Sequence, residues 1–271
     1  MTALEALRVD RGGTALVGER RRGPGKAVVL LHEGVADRRS WRDVVGELDA
    51  ALDVVSYDRR GHGDTAPPAG PFSHVEDLLA VLDHVGVGPA WLVGSSAGGG
   101  IAVDAALVAA DRVAGLVLLA PGISGAPEPD LDRDTARFER PLERAVAAGD
   151  LEEANRLETW LWLDGPAQRE GRVPGAAREL ALAMNAVVLA HGVAEEAGTS
   201  GVDAWSRLEE LSLPVTVACG DLDAPFLVER SRGVADRVPG AAHRVLAGTA
   251  HLSALEHPQA VAGVISAAVA G

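Results

Sequence analysis

The sequence contains few residues of several types, and each shortage excludes some classes of protein. Its one cysteine, Cys219, excludes an internal disulfide and ends an apolar run, so we expect a buried, unreactive thiol. Aromatic residues make up 3% of the chain, so Ala, Val and Leu must fill the core of a globular protein. No apolar stretch reaches the ~18 residues of a membrane span, and the first ten residues show no signal-peptide pattern. We therefore expect a cytoplasmic protein.

Positive charge is also scarce. The chain has 25 Lys and Arg against 39 Asp and Glu, a formal net charge of −14. Nucleic acids and anionic membrane surfaces would repel such a protein, so we expect neither as a partner. No Cys/His cluster suggests a metal and no phosphate-loop motif is present, so we expect no metal and no organic cofactor. The sequence leaves the oligomeric state open.

A Gly-x-Ser-x-Gly pattern, formed by Gly94, Ser96 and Gly98, lies between an apolar run at 90–93 and a helix-forming segment at 101–110. Strand, tight turn and helix in this order are typical of a nucleophile elbow. The turn strains the serine, and glycine on both sides avoids collisions with neighbouring backbone. The pattern predicts a nucleophilic serine at the carboxyl end of a central strand, above the N-terminus of a helix.

A serine nucleophile needs a base, and the base needs an acid to orient it. The apolar run at 215–219 is followed by Asp221 and Asp223, and the short strand predicted at 243–246 is followed by His251. Serine, acid and histidine therefore occur in the chain order that this class of site requires.

Strands and helices alternate along most of the chain, which predicts a parallel, doubly wound α/β sheet. The alternation stops at about residue 122 and resumes at about 213, and the segment between them contains helical patterns and no convincing strand. We therefore predict a core formed by 1–121 and 213–271, with 122–212 inserted as a helical cap, or lid.

Taken together, the motifs resemble those of α/β-hydrolase-fold serine hydrolases, over essentially the whole chain and least in 122–212. The five that carry the resemblance are His32-x-Gly34, Asp58-x-Arg60-Gly61-x-Gly63, the serine turn, Gly220-x-x-Asp223 and Gly248-x-x-His251. The resemblance implies an α/β-hydrolase fold, a mostly parallel central sheet with helices on both faces and an inserted helical cap. It also implies an activity in the esterase, enol-lactonase and cofactor-free perhydrolase group.

The resemblance also implies site residues. The catalytic triad would be Ser96, Asp223 and His251, with Asp223 preferred to Asp221 because the family places the acid three residues after the glycine. The backbone N–H groups of Gly34 and Ala97 would form the oxyanion hole.

Glu33 departs from the family pattern, since it stands where glycine is usual. A carboxylate near the oxyanion would oppose the developing charge, so we expect Glu33 to point away. The resemblance implies structural roles for His32 and His62, whereas His191, within the predicted cap, is a weaker candidate for substrate contact.

Substrate-pocket candidates are Val35, Trp160, Trp162 and Met184, with Asn185 as a further one. Residues two apart on a helix cannot face the same way, so at most one of the two tryptophans should face the pocket. The segment offers no obvious arginine clamp, although Arg137, Arg156 and Arg178 stay open as candidates. We expect a small-to-medium, mostly neutral substrate.

The predicted function is hydrolysis of a carboxylic ester or lactone of a small molecule through an acyl-enzyme. The same triad would also serve a C–C bond hydrolase or a perhydrolase. A non-hydrolytic use of the fold, as a cyclase, a lyase or a ligand receptor, is the alternative, because a fold alone does not determine function.

Overall fold

The computed structural model describes residues 4–193, 198 and 200–271. Residues 194–197 and 199, within the predicted cap, lie outside this part. An eight-stranded sheet runs through the described chain in the order β1-β2-β4-β3-β5-β6-β7-β8. The strands are β1 (Glu5–Arg11), β2 (Thr14–Arg21), β3 (Ala27–Leu31), β4 (Asp53–Tyr57), β5 (Ala90–Ser95), β6 (Val113–Leu119), β7 (Val215–Gly220) and β8 (Ala242–Leu246).

Eleven α-helices are formed by the described residues. They are α1 (Arg42–Glu47), α2 (His74–Val85), α3 (Ala97–Val108), α4 (Arg133–Ala136), α5 (Glu139–Ala148), α6 (Leu151–Thr159), α7 (Ala176–His191), α8 (Ala204–Arg207), α9 (Pro225–Arg237), α10 (Ser253–Glu256) and α11 (Pro258–Ala270). Short 3₁₀ turns lie at Arg38–Trp41, Ala110–Arg112 and Leu208–Glu210, and a π-helical turn at Trp160–Asp164 continues α6.

The sheet is mostly parallel, as predicted. β2 pairs antiparallel with both β1 and β4, and every pairing from β4 across to β8 is parallel. Alternate residues of one strand point to opposite faces, so the continuous apolar run of β3 supplies two cores. Val28 and Leu30 pack with α1 and α11, whereas Val29 and Leu31 pack with α2, α3 and α9. Helices therefore cover both faces of the sheet, and the predicted fold class is confirmed.

Local corrections arise where side chains compete for backbone groups. The apolar spacing over 41–52 predicts one helix, but α1 ends at Glu47, because Asp49 accepts a hydrogen bond from the Ala51 N–H and starts a turn. The sequence also suggests Ser40 as the N-cap of this helix, but Ser40 lies inside the preceding 3₁₀ turn, which Asp37 caps by accepting from the Arg39 N–H. Ser73 followed three residues later by Glu76 predicts the N-cap of α2, and this prediction is confirmed, since Ser73 accepts from the Glu76 N–H.

The carboxyl ends of the parallel strands meet at one edge of the sheet, where open α/β sheets bind ligands. The loops after β3, β5, β7 and β8 carry Gly34, Ser96, Asp223 and His251, respectively. Between β6 and β7, the described residues form α4 to α8 and no strand. Across the described chain, no helix combines the length and apolar character needed to cross a membrane.

Candidate active site

Ser96 lies at the junction between β5 and α3 with φ +50° and ψ −118°. Ala120 is the other non-glycine residue with positive φ in the described chain. Such a conformation is strained for a residue with a side chain and persists only where its surroundings impose it. Here the Ser96 carbonyl accepts hydrogen bonds from the N–H groups of Gly99, Gly100 and Gly122, at 2.9, 3.2 and 3.0 Å.

The two glycines of the motif are required by close backbone contacts. A Cβ on Gly94 would lie 2.3 Å from the carbonyl oxygen of Gly98, and a Cβ on Gly98 would lie 2.2 Å from the carbonyl oxygen of Leu31. Both distances are far below van der Waals contact. The prediction that these positions exclude side chains is confirmed.

His251 and Asp223 are joined by a hydrogen bond of 2.9 Å between the imidazole Nδ1 and the carboxylate Oδ2. Both residues are 5% exposed. A carboxylate can only accept, so Nδ1 carries the proton. The other carboxylate oxygen accepts from the Ala224 N–H at 2.7 Å, which orients Asp223 at the start of α9.

Burial lowers the pKa of His251, but the negative charge of Asp223 and its hydrogen bond outweigh burial, and the pKa lies above its ordinary value. Asp221, the alternative acid, is exposed and accepts from the Gly248 N–H at 2.6 Å. The structure thus brings Asp223, and not Asp221, to the imidazole.

The predicted oxyanion donors, Gly34 and Ala97, both line the same cavity as Ser96 and His251. Within the described part of the chain, neither N–H group donates a hydrogen bond to the protein. Glu33 does not line this cavity. Its carboxylate is 1% exposed and accepts from the Ser40 hydroxyl at 3.3 Å, and burial raises its pKa.

Two histidines beside the oxyanion loop are held by backbone groups. The Arg59 N–H donates to Nε2 of His32 at 3.0 Å, so the proton of that ring is on Nδ1, which donates to the Glu33 carbonyl at 2.7 Å. Burial lowers the pKa of His32 well below its ordinary value and that of His62 to about 3. Both rings therefore stay neutral and support the loop.

The cavity has a volume of about 500 Å³ and runs from Ser96 and His251 to the helices between β6 and β7. Its wall is mostly apolar. The apolar lining residues are Val35, Leu142, Val146, Leu151, Leu161, Trp162, Val188, Leu189, Val193, Phe226 and Leu227.

The four predicted pocket residues divide evenly. Val35 and Trp162 line the cavity, and the Trp162 ring lies 4.9 Å from the His251 ring. Trp160 and Met184 are not among the described lining residues, so both predictions are wrong. Trp160 packs edge-on against Phe138, with ring centroids 5.2 Å apart, because the helical turn points it away from Trp162.

Met184 is fully buried, and its neighbour Asn185, about 100° further round α7, lines the cavity as the sequence suggested. Asn185 donates to Glu158 at 2.6 Å. The Nδ1–H of His191 donates to the Gly61 carbonyl at 2.9 Å, and His191 is not among the described residues that line the cavity.

The three arginines proposed as clamps make other contacts. Arg137 donates to the Pro166 carbonyl, Arg156 pairs with Glu153 and Glu170, and Arg178 pairs with Asp164. Sequence reasoning missed Arg59, Arg60 and Arg230, which do line the cavity. The signal available for Arg230 was its spacing on α9, one turn after the apolar pair Phe226-Leu227 and directly downstream of Asp223.

Comparison with known proteins agrees with this architecture. The model of the alpha/beta hydrolase family matches residues 28–264, and the chain belongs to that family. It is 30% identical over 240 residues to a 2-succinyl-6-hydroxy-2,4-cyclohexadiene-1-carboxylate synthase of Salmonella agona (strain SL483), covering 87% of this chain and 90% of that protein.

Two solved structures are similar over nearly the whole chain. A hydrolase from Pseudomonas aeruginosa PA01 superimposes with a TM-score of 0.78 at 25% identity, covering 99% of this chain and 98% of its own. A thermophilic esterase from Thermogutta terrifontis superimposes with a TM-score of 0.72 at 26% identity, covering 96% of each chain. The predicted family is confirmed, and these similarities support a hydrolase acting on a small molecule.

Proposed function

We propose that this protein is a serine hydrolase that cleaves a carboxylic ester or lactone through an acyl-enzyme. The observation that carries the proposal is the pairing of a strained, cavity-facing Ser96 with a His251 that is oriented by Asp223 in the same cavity wall. A carboxylate–imidazole pair beside a serine is the arrangement that activates a hydroxyl for attack on a carbonyl.

In the first half of the reaction, His251 accepts the Ser96 proton through Nε2 as the hydroxyl oxygen attacks the carbonyl carbon. Asp223 holds the ring and stabilises the imidazolium that forms. The protonated His251 then gives its proton to the leaving alkoxide. In the second half, His251 activates water, which attacks the acyl-enzyme and releases the acid.

The N–H groups of Gly34 and Ala97 would stabilise the tetrahedral oxyanion, and one such donor contributes about 3 kcal/mol in comparable sites. Both are unused by the described protein and both face the cavity, which supports this role. No hydrogen bond joins Ser96 to His251 in the described chain. Catalytic hydrogen bonds of this kind often shorten only when substrate binds.

The helices at 122–212 would act as a cap that completes the pocket. Leu142, Val146, Leu151, Leu161 and Trp162 belong to this segment and supply much of the apolar wall. A cavity of about 500 Å³ is suited to a small-to-medium substrate.

Labelling with a fluorophosphonate tests the proposal. We expect covalent label on Ser96, located by peptide mass mapping, together with release of p-nitrophenol from a short-chain ester. Ser96→Ala should lose the label and lower kcat by a factor of about 10⁴ or more, because the nucleophile is absent.

Ser95→Ala is the matched control, since Ser95 is the neighbouring serine but is fully buried. It should keep both the label and the turnover. If Ser96→Ala retained full activity, the serine mechanism would be wrong. A folded protein that takes no label and cleaves no ester would favour the non-hydrolytic alternative, which the synthase from Salmonella agona also represents in this family.

A further inference from the structure

Arg230 lines the candidate active-site cavity and belongs to α9, the helix that follows the proposed catalytic acid Asp223 in the chain. Helix α9 begins at Pro225, two residues after Asp223, and Phe226, Leu227 and Arg230 are its cavity-lining residues in the described chain. These positions share one face of the helix, because residues three and four apart are neighbours on its surface. Helix α9 therefore carries Arg230 into the cavity that Ser96 and His251 also line.

The Arg230 guanidinium has few partners within the described residues. Nη2 donates to the Pro127 carbonyl at 3.1 Å, and the group lies 5.5 Å from the centroid of the Phe226 ring. No carboxylate of the described chain lies within ion-pair distance of it. The exposed Glu128 is close enough to raise the pKa of Arg230, but burial outweighs this and the pKa lies below its ordinary value.

Arg60 lines the same cavity, and its guanidinium, unlike that of Arg230, is paired with a carboxylate of the protein. Its guanidinium makes two hydrogen bonds to the Asp77 carboxylate, at 2.7 and 3.0 Å, and a third to the Arg11 carbonyl. Arg230 has no such carboxylate. A half-buried guanidinium with unused donors, on a mostly apolar wall, is suited to binding an anion in the bidentate manner that carboxylates allow.

The charged groups of the cavity wall also support the binding of an anion. The described lining residues include three guanidinium groups, from Arg59, Arg60 and Arg230, and one carboxylate, from Glu158. Asp77 neutralises Arg60, whereas Arg230 has no carboxylate within ion-pair distance in the described chain, so its positive charge stands out in a protein whose formal net charge is −14. An anionic group of a substrate would therefore be attracted to the site rather than to the rest of the surface.

We propose that Arg230 binds a carboxylate of the substrate, and that the protein acts on esters or lactones carrying a second, ionised carboxyl group. This proposal rests on the proposed ester hydrolysis and replaces the mostly neutral substrate that the sequence suggested. Ser96 and Arg230 line the same cavity, so one substrate can place its scissile carbonyl at the serine and its carboxylate at the guanidinium.

The experiment compares substrates that differ only in charge. One pair places the charge on the acyl side, monoethyl adipate against ethyl adipamate, and a second places it on the alcohol side, 5-acetoxypentanoate against 5-acetoxypentanamide. Hydrolysis is followed by liquid chromatography and mass spectrometry. In at least one pair we expect kcat/KM of the wild type to favour the carboxylate by about 10- to 100-fold, the range of a charge-assisted hydrogen bond.

Arg230→Gln should remove this preference by lowering kcat/KM for the carboxylate about 10-fold or more, while kcat/KM for the amide changes less than about 2-fold. Arg230→Lys should retain part of it. Arg232→Gln is the matched control, because it removes the same charge from an exposed position on the same helix. It should leave both values unchanged.

Two results would overturn the assignment while leaving ester hydrolysis intact: cleavage of both members of each pair with no preference, or equal losses on both members in Arg230→Gln. Calorimetric binding of adipate separates the two proposals. If no ester is cleaved, adipate that binds the wild type and not Arg230→Gln supports the anion site alone, and adipate that binds neither protein rejects it.

Discussion

The pKa of His251 is set by burial and by charged groups on two loops and on α10. Burial lowers its pKa, and Asp223 raises it through charge and a hydrogen bond; the charges of Glu33 and Glu256 raise it further. The main chain of His251 is also held, because its backbone N–H donates to the Trp162 carbonyl at 3.1 Å. A base must be neutral to accept the serine proton, so the raised pKa determines where activity is lost in acid.

Asp223→Asn should move that acid limit. Removing the carboxylate removes the charge that raises the His251 pKa, so the acid limb of the kcat/KM profile should move to lower pH. The amide should also lower kcat about 10⁴-fold, because it stabilises the wrong tautomer and no longer stabilises the imidazolium. Ester hydrolysis measured between about pH 5 and 9 gives both quantities.

Asp221→Asn is the control for this prediction, since the exposed Asp221 follows the same strand and contacts Gly248 instead of the imidazole. Its pH profile should match that of the wild type. An acid limb at the same pH in Asp223→Asn and wild type would show that Asp223 does not set the pKa of the base.

The buried His62 provides a test of pH-dependent stability. Its folded-state pKa is about 3 because of burial and the nearby Arg59 charge, against an ordinary value of 6.5. Between these values the unfolded chain binds a proton that the folded protein does not, so this group lowers stability as pH falls below 6.5. Relative to His62→Gln, the wild type should lose up to ~1.4 kcal/mol of unfolding free energy per pH unit.

Urea unfolding of both proteins at several pH values between about 4 and 7 measures this difference. The comparison is made as a difference because buried acids act in the opposite direction. Burial raises the pKa of Asp58 to about 6, and that of Glu256 to about 7. A constant difference between wild type and His62→Gln would contradict a depressed pKa at this site.

At the scale of elements, the junction of β5 and α3 is where the backbone has least freedom. Gly94, Gly98 and Gly99 pack so closely against neighbouring backbone and Pro121 that a Cβ at any of them would lie within 2.8 Å of another atom. This close packing lets α3 begin directly after Ser96. It explains why α3 starts at Ala97, four residues before the helical pattern predicted at 101–110.

Gly98→Ala should therefore destabilise the fold. Its Cβ would lie 2.2 Å from the Leu31 carbonyl oxygen, and relieving that overlap requires β3 and α3 to separate. We expect a loss of at least ~2 kcal/mol in the unfolding free energy. Denaturant unfolding provides the measurement.

Gly46→Ala is the matched control, at an exposed position of α1. A Cβ there meets nothing within 4 Å, and alanine in a helix is more stable than glycine by ~1 kcal/mol, so this variant should gain stability. Equal effects of the two substitutions would contradict the close packing described for the serine turn.

A second element-scale feature joins the helices at 122–212 to the histidine loop. The Trp162 carbonyl accepts from the N–H groups of both His251 and Leu252, at 3.1 and 3.2 Å. Arg172 adds an ion pair to Glu256 and hydrogen bonds to the carbonyls of Leu163 and Gly248. The segment proposed as a cap therefore also helps to hold the base in place.

At the scale of the whole molecule, burial is concentrated in the sheet. Every residue of β4 and β5 is buried, whereas α5 has one buried residue, Ala145, and exposes Val146 at 55%. Local opening is favoured where few apolar groups are buried. We expect peptides from α5 to exchange amide hydrogen for deuterium faster than peptides from β5 and β6.

Hydrogen exchange with mass spectrometry tests this difference. The anchored α6–Trp162 region serves as an internal comparison, since Ala154, Asn155, Leu157 and Thr159 are buried there, and it should exchange more slowly than α5. Equal protection of α5 and the central strands would contradict this prediction. It would mean that α5 and the sheet open only together.

Local pattern was enough to predict most of the framework. The apolar run at 27–31 predicts a strand with the bounds observed for β3, because a strand buried on both faces needs a continuous apolar segment. Local pattern also placed Asp221, Asp223 and His251 after strand ends, where the sites of parallel sheets lie, whereas the preference for Asp223 over Asp221 came from the family resemblance. The same reasoning allowed Gly94 and Gly98 to be placed on either side of the serine.

Only the tertiary structure decided which side chains reach the cavity. Trp162 and Asn185 line it whereas Trp160 and Met184 do not, because the rotation of a helix about its axis is set by packing against other helices. Arg230 could not be identified from the sequence for a related reason. Whether a guanidinium forms an ion pair with a carboxylate depends on residues distant in sequence, as Arg60 and Asp77 illustrate. The sequence by itself determined the strands, the turns and the residue types that follow the strand ends. The packing of the helices determined which side chains line the cavity.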